Sequence, residues 1–106
     1  MIIVTSEFIQ GKELEHIGLV QGSVVRAKHI GKAMLAGFRA IAGGEIDEYT
    51  ELMYEARKIA TDRMSLAAHQ MQADAIVAVR YSTCSVMDGS SEVMAYGTAV
   101  KFKNGN

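Results

Sequence analysis

The chain has 106 residues, 49% of them hydrophobic and 22% charged, with a net charge of −1. A folded protein of its 11.5 kDa mass exposes roughly 5,800 Å²; this fits one domain spanning 1–106 and excludes a large scaffold such as an α/β barrel. The composition excludes wholesale disorder, and the near-neutral charge argues against nucleic-acid or membrane-surface partners, which need a basic surplus.

Residues Ile2 to Thr5 are β-branched throughout, which predicts a short strand. Gln10-Gly11-Lys12 marks a turn. His16 to Lys28 is rich in valine and isoleucine and predicts a long strand, bent or bulged at Gly18 or Gly22. Gly31 opens a helical pattern in which Met34, Leu35, Phe38, Ile41 and Ala42 share one face. Gly43-Gly44 ends it, because glycine accepts the left-handed conformation after a helix.

A longer helix is predicted from Asp47 to Gln72. Asp47 is a suitable N-cap, and Asp47, Glu48 and Glu51 place negative charge at the positive end of the helix dipole. Its apolar stripe carries Tyr49, Leu52, Met53, Ala56, Ile59, Ala60, Met64, Ala67 and Met71, with polar residues opposite. Two strands follow, Ala75 to Cys84 and Glu92 to Phe102, joined at Met87-Asp88-Gly89-Ser90. The short connection predicts an antiparallel hairpin. The order is β-β-α-α-β-β: an α+β fold with two helices on one face of a mainly antiparallel sheet.

The last two strands alternate poorly. Ala75, Val77, Val79 and Tyr81 are expected on one face of the third strand, with Ile76 and Ala78 on the other. In the fourth, Met94, Tyr96, Val100 and Phe102 oppose Val93, Ala95 and Ala99. Both faces are at least half apolar, yet two helices cover only one. A second copy of the chain is the simplest cover for the other, so a homo-oligomer is expected.

Candidate chemistry is sparse. The single cysteine, Cys84, permits no internal disulfide. The lone thiol, with no signal peptide at the N-terminus, fits a cytoplasmic protein. A zinc site wants Cys and His at short spacings; here Cys84, His16, His29 and His69 are scattered singly. Met34, Met53, Met64 and Met71 fall on helix core faces, where methionine fills space. Glu45, Asp47, Glu48 and Glu51 lack the spacing of a calcium loop. Asp62, Ser65 and His69 lie on a solvated helix face with no oxyanion hole, so no catalytic triad and no enzyme activity is read. Arg63 lies within the apolar stripe, flanked by Arg57. A guanidinium there needs a carboxylate or carbonyl partner, with Glu45, Asp74, Glu92 or a neighbouring subunit as candidates.

Several blocks resemble the YbjQ family over nearly the whole chain. They are Gly18 with Val20 and Gly22; Gly43-Gly44-Glu45 before Tyr49; Ala56-Arg57 with Arg63-Met64; Ala75 through Arg80; and Ala95-Tyr96-Gly97-Thr98-Ala99-Val100. The sequence departs at Met71-Gln72-Ala73-Asp74-Ala75, where the family is closer to leucine-glycine-alanine-asparagine-alanine. Gln72 thus stands in place of a helix-ending glycine.

The resemblance implies a dodecin-like subunit in a ring, typically a pentamer, and a heavy-metal-binding label whose metal and ligands it does not specify. Arg63, Arg57, Gly43, Gly44, Glu45 and Tyr96 are read as structural or interface positions. Cys84, His16 and His29 remain the metal candidates, and no cofactor is assigned. Two other roles stay open: a small-molecule or cofactor carrier of dodecin type, and a purely structural assembly.

Overall fold

The computed structural model describes residues 1–27, 47–87 and 90–103. They form β1 (Ile2–Ile3), β2 (Leu14–Ala27), α1 (Asp47–Gln70), β3 (Ala75–Met87) and β4 (Ser90–Phe102). The helix expected from Gly31 to Ala42 lies outside the described residues, as do His29, Gly43, Gly44 and Glu45.

The four strands form one sheet in the order β1-β3-β4-β2. β4 is antiparallel to both β2 and β3, but β1 runs parallel to β3, pairing Ile2 with Ala75 and Ile3 with Ile76. The sheet is therefore mixed, with two of its three pairings antiparallel. A hairpin forces neighbouring strands antiparallel; β1 and β3 are far apart in sequence, so no tight turn fixes their direction.

One face of the sheet carries α1. Ala56, Ala60, Met64 and Ala68 recur every four residues along the helix and are buried. They pack on Val20 and Val24 of β2, Ile76 and Val79 of β3, and Val93, Ala95 and Ala99 of β4. The expected stripe is shifted: Ala68 occupies its centre, and Met53, Ile59, Ala67 and Met71 are half-buried at its flanks. Alanine at three of the four central positions lets the helix backbone come close to the sheet. Gly22 lies at the closest approach, where a Cβ would sit 2.7 Å from the Arg63 carbonyl carbon and against Met64 N and Ala60 O.

The helix ends in a Schellman motif. Ala73 N–H donates to Ala68 O at 3.0 Å and Gln72 N–H to His69 O at 2.9 Å. Gln72 itself has φ of 60°, a left-handed conformation in which its Cβ is strained. Gln72→Gly is expected to raise stability by about 0.5–1 kcal/mol, read as a higher urea midpoint with unchanged slope.

A smaller core lies on the opposite face. Ala75, Val77 and Val100 are buried there under Val4, Ile9, Leu14 and Phe102. The N-terminal segment thus covers one end of the second face. A bulge in β3 divides the two cores. Ala78 has φ of 55°, and the register slips between Val77↔Thr98 and Arg80↔Tyr96. The segment after β1 binds the bulge: Ala78 N–H donates to Ser6 O at 2.8 Å and Val79 N–H to Val4 O at 3.0 Å. One extra residue reverses the facing of those that follow. Val79 therefore joins Ile76 on the helix face, and Tyr81 reaches Thr61 of α1. This corrects the expected grouping of both with Ala75 and Val77. Gly97 sits across from the bulge, where a Cβ would lie 2.9 Å from Val77 O and from Ile76 Cγ2.

Candidate functional site

With Val20, Gly22 and Val24 against the helix, alternation turns Leu19, Gln21, Ser23 and Val25 to the other face. The register aligns them with β4 and β3 in rows: Gln21–Tyr96–Arg80, Ser23–Met94–Ser82 and Val25–Glu92–Cys84. Leu19 is 69% exposed and Val25 56%, while Tyr96 and Met94 are half-buried. Beyond the small core, this outer face is a mixed apolar and polar surface. The β2–β4 ribbon outruns the helix: 14 residues of strand run on the order of 45 Å, further than one 24-residue helix can roof.

The expected metal donors are not brought together. His16 pairs with Val100 and Cys84 with Glu92, placing them about 27 Å apart along β4. Both are exposed, and the Cys84 thiol donates to Ser85 O at 3.5 Å. His69 is exposed on α1. Among the described residues no three His, Cys, Asp or Glu side chains form a metal-holding group. These residues do not fit a heavy-metal site within one chain. Ser65 Oγ lies 3.9 Å from Met1 Sδ.

Arg63 is exposed rather than buried. Its Nη1 donates to Ser23 O at 2.6 Å, not to Asp74 or Glu92; Glu45 lies outside the described residues. The long stem lets a charge based near the stripe end at solvent. Asp74 instead fastens the sheet: its Oδ2 accepts Phe102 N–H at 2.8 Å and its own N–H donates to Val100 O at 2.8 Å. Arg63→Ala is expected to cost about 1 kcal/mol of stability, one exposed charge-assisted hydrogen bond, checked by urea unfolding.

The described residues also form a cleft that the sequence reading did not single out. It is an open groove between α1 and β3, with a volume of about 370 Å³, lined by Tyr54, Arg57, Lys58, Thr61, Asp62 and Tyr81. The guanidinium of Arg57 stands 5.8 Å over the Tyr54 ring. Thr61 Oγ1 donates to Arg57 O at 2.7 Å and lies 2.8 Å from Tyr81 Oη. With its single proton committed to Arg57 O, the Thr61 oxygen accepts from the Tyr81 hydroxyl. One signal was available: Tyr54, Arg57, Lys58 and Thr61 follow the i, i+3, i+4, i+7 spacing of one helix face. Their partner Tyr81 was not legible, because the bulge at Ala78 decides its facing.

The described helix is not long and apolar enough to cross a membrane. A family model described as "Putative heavy-metal-binding" matches residues 1–103. A UPF0145 protein of Psychromonas ingrahamii is 53% identical over 104 residues, covering 97% of this chain and 99% of that relative. One from Clostridium novyi is 50% identical over 101 residues, covering 95% and 98%. A crystal structure of a protein of unknown function in the DUF74 family, from Pediococcus pentosaceus, superposes with a TM-score of 0.69 over 97% of this chain and 98% of that one. Its 19% identity makes this a likeness of fold alone.

Proposed function

The chain belongs to the YbjQ family, and from that premise we propose a non-enzymatic, homo-oligomeric binding or scaffold protein of the cytoplasm. The observation that supports this is the outer sheet face, with Leu19 and Val25 bare in one copy. Burial of that face against further copies contributes roughly 25 cal/mol per Å² of apolar surface. The rows through Tyr96 and Met94 give neighbouring copies a continuous patch. For the form of the assembly we propose, on the family resemblance, a dodecin-like subunit with two helices in a pentameric ring.

Among the described residues the heavy-metal reading finds no donor set within one chain. A metal enters this proposal only where symmetry collects Cys84 or His16 from several copies, as a ring axis does. Native mass spectrometry of gently purified, tag-free protein tests both statements together. The expected spectrum is a single oligomer, with any metal in a fixed ratio to the ring rather than to the chain. A spectrum of single chains overturns the proposal.

A further inference from the structure

We infer that the cleft between α1 and β3 binds a small aromatic anion, a ring carrying a phosphate or carboxylate. Its volume of about 370 Å³ lies within the range of small-molecule sites. Its charge is fitted to an anion, since among the described lining residues two cations, Arg57 and Lys58, outnumber one carboxylate, Asp62. Among the described residues Arg57 has no carboxylate at ion-pair distance, so its fork of donors is open to a bidentate acceptor. The Tyr54 ring beneath the guanidinium holds that fork in place and leaves only part of its solvation to be lost on binding.

The ring half of the ligand is read from the two tyrosines. Tyr54 is 67% and Tyr81 46% exposed, and both line the cleft, one from the helix and one from the strand. The hydrogen bond from Tyr81 to Thr61 fixes the second phenol at its tip, so its face is presented at little cost in rotamer freedom. Stacking against a fixed aromatic contributes beyond its buried area. Neither half explains the other. Cations alone suit any anion, and tyrosines alone suit any ring; their convergence selects a molecule with both. The described lining residues all belong to one chain, so ligand binding and assembled mass are read separately in the test.

Calorimetric titration of the full-length protein tests it. Phenyl phosphate and benzoate are the probes, with inorganic phosphate and phenol as the charge-only and ring-only arms. The expected result is one site per chain for phenyl phosphate or benzoate, at least tenfold tighter than for either arm; the better of the two identifies the anionic group. Arg57→Gln should weaken that binding at least tenfold, and Lys58→Gln supplies a second loss on an independent exposed side chain. Tyr81→Phe, which releases the tie to Thr61, should weaken it about threefold. Equal binding of phosphate and phenyl phosphate overturns the inference, as does no binding of either probe. So does unchanged affinity in both cation variants. A change of assembled mass in Arg57→Gln also overturns it, since the cleft is then an interface between copies.

Discussion

Gly22→Ala is expected to destabilise the protein by about 3 kcal/mol, the upper end for overpacking a close-packed interior. The added methyl meets helix backbone at Ala60, Arg63 and Met64, and backbone cannot step aside as a side-chain tip can. Relief requires lifting α1 from β2. That opens space around Val20, Val24, Ala60 and Met64, all of which are buried now. With a urea slope of about 1–3 kcal/mol per molar, the midpoint should fall by about 1 M or more. Gly18→Ala in the same strand is the control, because its Cβ would meet only Met71 Cε at 3.5 Å, an ordinary contact. It should cost less than about 1 kcal/mol. Both variants are to be compared at one protein concentration, since assembly adds a concentration-dependent contribution. Equal losses at the two glycines would contradict the close helix–strand approach.

The pair Leu19→Asp with Val25→Asp should dissociate the assembly while leaving each subunit folded. Both side chains are largely exposed in one copy, so their loss removes little from the subunit core. In an interface, each forfeits about 1.5–3 kcal/mol of apolar burial and adds a carboxylate whose desolvation without a partner costs more. Together these weaken association by at least a thousandfold, about 4 kcal/mol. Light scattering after size exclusion reads the effect as a fall in mass, and circular dichroism should show an unchanged helix and sheet. Leu66→Asp is the matched control. Leu66 is 59% exposed but lies on α1, away from the outer sheet face, and its substitution should leave the mass unaltered. Loss of mass in the control but not in the pair would move the interface to the helix side.

Much of the fold is legible in residue spacing. The long helix follows from apolar residues three and four apart, and β2 from its run of β-branched residues. The expectation that both sheet faces are apolar matches two cores on opposite faces. What the spacing does not carry is the bulge. Alanine at position 78 has no Cβ advantage at φ of 55°, and glycine or asparagine is the usual marker of such a site. The strain is offset by hydrogen bonds to Val4 and Ser6, seventy residues away in sequence. The facings from Val79 to Ser85 are inverted by it, up to a second register shift before Met87, so Tyr81, and with it the cleft, stayed hidden. Arg63 misled for a related reason. Helical spacing gives the direction of a Cβ, whereas an arginine head ends several bonds further on, here at Ser23 O. The parallel β1 was equally out of reach, since no local turn encodes a pairing between Ile2 and Ala75.

Sedimentation equilibrium of the unmodified protein at low micromolar concentration tests self-assembly most directly. A ring built on the outer sheet face predicts one species at a whole multiple of 11.5 kDa, close to five chains by family resemblance. A single species of 11.5 kDa that persists as concentration rises would contradict it, and would mean that water alone covers Leu19 and Val25.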